Sequence, residues 1–290
     1  MKTLLFSRAG NCRSAEELHV LFDAIGRHGL EWCVNREFAD SIRTLTGRVI
    51  PEERIYDRRT GAQPADTVMI CYGGDGTLLE GIHRLDGEPV PVIGINSGHL
   101  GFLATASKEN IDETLGRIVR RELTVEERSM LEIAGVDGDK TLYALNEVAV
   151  QRFGATMVSI GVSVDGRNIA ACDGSGVIIS TPTGSTAYSL SAGGPIMEPS
   201  CRCLTISPLA PHNLTMRPIV IPDSSCITLG IDPRHRPITI SLDNRTYQTD
   251  RKCTITVKRA QRCVFLAVPH NNSFYDTLRN KMMWGIDIRK

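Results

Sequence analysis

Near its start the chain sets a short apolar run, "TLLF" (3–6), ahead of "SAEELHVLFDAIGRHG" (14–29), whose apolar residues recur at helical spacing and end on a glycine. The pair reads as a strand and an amphipathic helix. Beyond a polar stretch, "PEERIYDRRTGAQPAD" (51–66), the alternation returns as "TVMICY" (67–72), "GTLLEGIHRL" (76–85), "PVPVIGI" (89–95) and "SKENIDETLGRIVRREL" (107–123). Strand and helix in turn predict β-α units around a parallel sheet. From about Leu131 the texture changes to short β-branched runs parted by turn residues, such as "MVSIGVSVDGRNIAA" (157–171), "GVIIST" (176–181), "CLTISPLAP" (203–211) and "CTITVKRA" (253–260). That half is predicted to be mainly β, with Asp165-Gly166 turning one hairpin and "SLDNRTYQ" (241–248) holding another. The end, "NSFYDTLRNKMMWGIDIRK" (272–290), predicts a helix that returns to pack on one of the domains. The expected layout is an α/β domain with a parallel sheet over 1–125, a predominantly β domain over 126–270, and a returning segment over 271–290.

At 290 residues there is chain enough for one large domain or two smaller ones, each with a real core. Hydrophobic residues make up 41% and charged residues 23%, which fits a globular protein and excludes disorder. Lys plus Arg number 33 and Asp plus Glu number 33, so no bulk charge invites nucleic acid or an anionic membrane, and an anion site has to be local. Nine scattered cysteines without a CxxC pair read as thiols of a reducing compartment. The apolar run at the start is far short of a signal-peptide core, and no stretch reaches the ~18 apolar residues of a membrane span. A cytoplasmic enzyme or binding protein is expected.

Chemistry enters at "TVMICYGGDGTLLEG" (67–81), where a strand runs through Gly73, Gly74, Asp75 and Gly76 into a helix beginning at Thr77. Such a turn collects backbone amides and the positive end of a helix dipole, a ready phosphate site. The glycines are expected to let a phosphate approach, with Gly74 required by that approach or by positive φ. Asp75 opposes an anion, unless its task is to take a proton from a hydroxyl or to hold Mg²⁺ beside the phosphate. No Gly-Lys-Ser/Thr follows and no GxGxxG is present, so neither the Walker loop nor the dinucleotide fingerprint applies. The bland alternative is a tight β-α connection with Asp as its turn residue.

Four blocks, "GGDGTLL" (73–79), "GINSGHLGFL" (94–103), "LNEVAV" (145–150) and "STPTGSTAYSLSAGGPI" (180–196), together with "PLAPHNLTMRP" (208–218) and "LRNKMMWG" (278–285), resemble the NAD kinase family in content and order. The GGDGT element is shared with phosphofructokinases and with diacylglycerol and sphingosine kinases, but the Asn-Glu and TPTGSTAY blocks are not. The resemblance implies a two-domain enzyme with its active site in the interdomain cleft, phosphorylating the adenosine ribose 2′-hydroxyl of NAD to give NADP. It implies Asp75 as the catalytic residue, and Gly73, Gly74, Gly76 and Thr77 as the donor-phosphate loop. For NAD it implies Asp75, Gly76, Asn96, Asn146, Glu147, Asp173, Thr183, Thr186, Ala187, Tyr188, Ser189, Leu190 and Ser191. It implies ATP or another phosphoryl donor such as inorganic polyphosphate, Mg²⁺ or another divalent cation as cofactor with no protein ligands assigned, and a homodimer or homotetramer.

The residues allow the same reading. Asn146 and Glu147 at the end of a hairpin arm suit an adenine edge and a ribose diol, Tyr188 offers an aromatic face, and Asn96 follows its own apolar strand. His99 and His212 are left unassigned. The chain also departs from the family pattern. Asp173 stands eight residues before Thr181 where relatives place an aspartate six before, which sets Ser175 at that position. Thr156 stands near a usual His or Arg, and "DNR" (243–245) replaces Asp-Gly or Asp-Ser followed by Gln. The rival readings are a lipid or sugar kinase of the wider GGDGT group and a dinucleotide sensor without turnover.

Overall fold

The computed structural model describes residues 1–12, 14–56, 66–98, 101–104, 106–154, 157–233, 237–269 and 273–285. They form two compact units, Met1–Glu127 with Val264–Lys290, and Arg128–Cys263.

The first unit opens with β1 (Lys2–Phe6), α1 (Ala15–Arg27), β2 (Glu31–Asn35), α2 (Arg36–Thr46), β3 (Ile55–Tyr56), β4 (Thr67–Tyr72), α3 (Asp75–Leu85), β5 (Val92–Asn96), β6 (Ala106–Ser107) and α4 (Ile111–Val119). The expected first helix is α1, started by Ser14, whose hydroxyl accepts the Glu17 N–H at 3.3 Å. The strands pair in parallel in the order β3-β2-β1-β4-β5, with β6 on the end of β5. Strand alternation divides the side chains between two faces. Leu5, Ile70, Tyr72, Ile93 and Ile95 join one core with Leu21 of α1, Phe38 of α2 and Leu115 of α4. Phe6, Met69 and Cys71 meet α3 at Gly81, where a Cβ would stand 2.4 Å from Cys71 Sγ, so the helix seats on the sheet because that position is glycine. The strand order reverses between β1 and β4, and the loops that leave them are neighbours at the carboxyl edge, the usual ligand position in such sheets.

The second unit is almost wholly β. It follows as β7 (Leu123–Asp137), β8 (Lys140–Ala144), β9 (Glu147–Arg152), β10 (Val158–Val164), β11 (Arg167–Gly174), β12 (Gly176–Ser180), the short α5 (Tyr188–Ser191), β13 (Cys203–Leu209), β14 (Ile219–Pro222), β15 (Ile227–Ile231), β16 (Ile238–Leu242), β17 (Arg245–Thr249) and β18 (Cys253–Pro269). One antiparallel sheet runs β14-β13-β12-β9-β16-β17, and a second set runs β11-β10-β15-β18. Val148, Val177, Ile206 and Ile240 of the first pack with Ile160, Leu229, Ile255 and Val257 of the second in one core, the arrangement of a sandwich. Asp165 and Gly166 turn the β10–β11 hairpin at φ +49° and +76°, and Asp243 at φ +50° turns β16 into β17.

The chain passes between units inside β7 and again inside β18, whose Leu266 pairs in parallel with Val92 of β5. The helix expected at the chain end is α6 (Phe274–Met282), begun by a Ser273–Asp276 capping box, with Lys281 Nζ 4.6 Å from the centre of the Phe102 ring. No helix among the described residues is long and apolar enough to cross a membrane.

Candidate active site

In the first unit β4 ends at Tyr72, Gly73 and Gly74 form the turn, and α3 begins on Asp75. Gly73 is held at φ +148°, and a Cβ there would lie 2.4 Å from Thr77 Oγ1 and 2.5 Å from Asn11 Nδ2. Asn11, from the loop after β1, donates to Thr77 Oγ1 at 2.8 Å and to the Tyr72 carbonyl at 3.2 Å, so two adjacent sheet-edge loops lock together under the glycine. Gly74 differs from expectation. Its φ is −82° and open space lies where a Cβ would go, so the conformational demand falls on Gly73, and Gly74 contributes an unobstructed approach. At Gly76 a Cβ would only touch Arg8 Nη1, at 3.5 Å, and Arg8 is itself paired with Glu80 of α3. Thr77 is buried, with its hydroxyl accepting from Asn11.

The Asp75 carboxylate is enclosed by the segment after β5. Phe102 N–H donates to Oδ2 at 2.9 Å, and Leu103 and Ala104 N–H donate to Oδ1 at 3.2 and 2.9 Å. A Cβ at Gly101 would fall 1.7 Å from Oδ1, so the segment wraps the carboxylate only because this residue is glycine. Gly101 was not among the site residues expected from the sequence. Its real signal is a second glycine ahead of "FLA", where three successive amides converge. A carboxylate has about four acceptor directions, and these contacts leave one, on Oδ2. Three N–H dipoles also offset the negative charge that otherwise repels a phosphate. Asn96, buried at the end of β5, accepts the Gly98 N–H at 2.7 Å, so its side-chain carbonyl helps to shape its own turn. His99 and Thr156 lie outside the described residues.

In the second unit the turn between β8 and β9 carries Asn146 and Glu147, both buried. The "TPTG" turn after β12 lies against it: Thr181 N–H donates to the Asn146 carbonyl at 2.9 Å, Thr181 Oγ1 donates to the Leu145 carbonyl at 2.6 Å, and a Cβ at Gly184 would strike the Asn146 carbonyl at 2.1 Å. Asn146 Oδ1, Glu147 Oε2, Ser180 Oγ and Thr183 Oγ1 are all buried without a hydrogen-bond partner among the described residues. A buried polar group left so costs about 1–3 kcal/mol. Four of them fall in these two blocks, where a polar ligand could pair them. From behind, Asp243 accepts the N–H groups of Leu145 at 2.8 Å, Asn146 at 2.8 Å and Glu147 at 3.2 Å. Burial, and then the Asp243 carboxylate, push the Glu147 carboxyl up to about 8, and burial raises Asp243 as well.

The other expected ligand residues divide. Tyr188 exposes part of its ring and donates its hydroxyl to Gln151 Oε1 at 2.8 Å. Thr186 Oγ1 reaches the Thr183 carbonyl at 3.4 Å, Ala187 and Leu190 are half-buried, and Ser191 is exposed. Ser189 is fully buried with its hydroxyl 3.1 Å from Ser207 Oγ, a core contact that commits the side chain to the protein. Asp173 is exposed on β11, where its backbone carbonyl accepts the His212 N–H at 2.7 Å. Ser175 instead accepts from Arg152 Nε at 3.1 Å. No group of three or more His, Cys, Asp or Glu side chains among the described residues is arranged to hold a metal ion.

An α/β unit with a carboxylate-bearing glycine turn at its switch point, joined to a β-sandwich with unpaired polar groups, defines a nucleotide-handling enzyme of two domains. The ATP-NAD kinase N-terminal domain matches residues 17–123 and the ATP-NAD kinase C-terminal domain matches residues 145–267. The NAD kinase of Bacteroides fragilis is 38% identical over 294 residues, covering all of both chains, and that of Flavobacterium psychrophilum is 39% identical over the same span. The yeast NADH kinase complexed with NADH superposes with a TM-score of 0.84 at 22% identity, covering 100% of this chain and 89% of that one. An Archaeoglobus fulgidus NAD kinase in complex with ATP gives 0.73 at 23% identity, covering 98% and 99%. The chain belongs to the NAD kinase family.

Proposed function

We propose that this chain transfers the terminal phosphoryl group of ATP to the adenosine ribose 2′-hydroxyl of NAD, giving NADP and ADP. The observation that carries the chemistry is the Asp75 carboxylate, fixed by three amides with one acceptor direction left on Oδ2. A group so held takes the hydroxyl proton as the new O–P bond forms and the bond from the terminal phosphorus to the bridging oxygen breaks. The Gly73–Gly74 turn and the start of α3 hold donor phosphates by backbone N–H groups, with Gly74 on the open side. Asn146 and Glu147 take the adenosine end, whose amino and hydroxyl hydrogens can satisfy the unpaired oxygens.

Asp75 would fit a divalent cation as a single protein ligand, with triphosphate oxygens and water supplying the rest, the usual manner of Mg²⁺. The ion supplies neutralisation of phosphate charge when bound. Nine free cysteines without a disulfide suit a reducing compartment, so we place the reaction in the cytoplasm. The family resemblance supports a homodimer or homotetramer. Light scattering on the purified protein checks the assembly.

The test is purified protein with NAD, ATP and Mg²⁺, reading NADP through a coupled dehydrogenase, with NADH, polyphosphate, fructose 6-phosphate and diacylglycerol as alternative substrates. Asp75→Asn should keep NAD binding and lose ~10²–10⁴-fold in turnover, the effect of removing a general base. Recovery in excess Mg²⁺ assigns Asp75 chiefly to the metal. Wild-type turnover at every Mg²⁺ concentration removes both roles.

A further inference from the structure

The β16–β17 hairpin does more than turn the chain. Asp243 sits at its tip with φ +50°, a conformation that Asn or Gly also adopts readily, so backbone shape alone does not call for Asp. What selects Asp is the set of groups it faces. Three consecutive N–H groups, from Leu145, Asn146 and Glu147, converge on its two oxygens, and its own N–H donates to the Glu147 carbonyl at 3.1 Å. Successive amides aimed at one point form an anion nest, and here the nest is filled from within the protein by a residue almost a hundred positions away.

The turn so held is the one that carries two of the unpaired buried oxygens. Asn146 Oδ1 and Glu147 Oε2 make no hydrogen bond, so those atoms do nothing to fix the loop that carries them. The neighbouring contacts act on the same loop from its other end: Arg245, two residues beyond Asp243, donates to the Tyr143 carbonyl, and Arg262 lies over the Tyr143 ring. Placing a second carboxylate beside Glu147 is unfavourable for stability, which argues against a role in packing alone.

We propose that Asp243 is a positioning residue for the dinucleotide, clamping the backbone of Leu145–Glu147 so that Asn146 and Glu147 present their unpaired oxygens to the ligand. The inference rests on the reading above that these two side chains bind NAD. A specific consequence follows for charge. The groups facing the Glu147 carboxyl are the Asp243 carboxylate and the Tyr188 backbone N–H, and the Arg245 charge acts on Asp243. Removing the Asp243 charge should therefore ease ionisation of Glu147, a change that a purely mechanical clamp would not produce.

The test compares Asp243→Asn, Asp243→Gly and Asn146→Ala in the full chain, by calorimetric titration with NAD from pH 6 to 9 and by steady-state kinetics. Asn leaves one acceptor oxygen for three donors. Gly leaves none and relaxes the left-handed backbone, so it preserves the hairpin if Asn does not fold. The expected result is a ~10–100-fold weaker Kd, larger for Gly than for Asn, as befits lost hydrogen bonds to a charged acceptor. The KM for NAD should rise with it while the KM for ATP, and kcat at saturating NAD, stay within about twofold. The pH midpoint of NAD binding should move down in Asp243→Asn, and adding Asn146→Ala to either variant should cost less than it does alone. Wild-type Kd and pH midpoint in a folded Asp243 variant, with Asn146→Ala still weakened, would overturn the inference and leave the NAD reading standing. Wild-type Kd in Asn146→Ala would overturn both.

Discussion

The two oxygens of Asp75 have unequal surroundings: Oδ1 receives two amides and Oδ2 one, so the second oxygen alone retains a direction for a proton or a ligand. This arrangement depends on Gly101, because a methyl group there would overlap Oδ1. Gly101→Ala should push the carboxylate out of place and lower kcat by ~10²-fold or more, the scale of an ångström-sized misplacement of a reacting group, while NAD binding stays near wild type. Unchanged kcat in that variant would show that the wrapped segment does not set catalysis. The adjacent turn gives a paired prediction. Gly73→Val meets both a positive φ and two side chains and should lower the melting temperature, whereas Gly74→Val meets open space and should leave melting unchanged while raising the KM for ATP. Equal melting losses in the two would mean that Gly74 is also structural. None of this asymmetry is visible in "GGDG" as letters, since the sequence shows which residues can adopt positive φ and not which one must.

Among the elements, the strands and helices around the site follow from periodicity, and so were legible: α1 from its apolar spacing, the β10–β11 hairpin from Asp165-Gly166, and β16–β17 from "SLDNRTYQ". What periodicity cannot express is the partner of a polar side chain. In "TPTGSTAYSLS" the residues look alike, yet Ser185 accepts the Met197 N–H at 2.9 Å, Ser189 faces Ser207 in the core, and Thr183 is left unpaired. In "DNR" (243–245) the departures from the family pattern, at Asn244 and Arg245, were legible, but the task of Asp243 itself was not, because it depends on a turn distant in sequence. The same turn gives a stability prediction. Glu147 is ordinarily near 4.5 and is pushed up to about 8 by burial and the Asp243 carboxylate, so between these values the folded chain holds a proton that the unfolded chain has lost. Stability from this group is therefore present below about 4.5 and drains away as pH rises to about 8, with a limiting slope of about 1.4 kcal/mol per pH unit. Glu147→Gln should flatten the fall in melting temperature across that window, with a shallower fall remaining because Asp243 is raised in the same direction. Parallel melting curves in the two proteins would remove Glu147 as the source.

For the whole molecule, net charge is zero, so no long-range field of the chain distinguishes an anionic dinucleotide from other solutes, and recognition has to come from the local groups of each unit. On the reading proposed above, those groups divide the work: the unpaired oxygens of Asn146, Glu147, Ser180 and Thr183 belong to the β unit, and the fixed carboxylate and glycine turn belong to the α/β unit. If binding and chemistry are separable in this way, thermal unfolding in the presence of NAD reports binding whether or not the chain turns over. At a free NAD concentration of about 100 times Kd, ligation stabilises the folded chain by about 2.7 kcal/mol. For a chain of this size that is a rise of roughly 5–10 °C in melting temperature, with the smaller value for larger cooperative units. Asp75→Asn should keep that rise although its NADP production collapses. Asn146→Ala should lose most of it at the same NAD concentration, and its residual turnover should reappear as NAD is raised, because its carboxylate is untouched. The pattern is diagnostic only as a pair, since a general loss of folding would abolish both signals in both variants. If Asp75→Asn also lost the NAD-dependent rise while melting like wild type without ligand, the α/β unit would be a principal binding partner of NAD, and the division of labour between the units would be wrong.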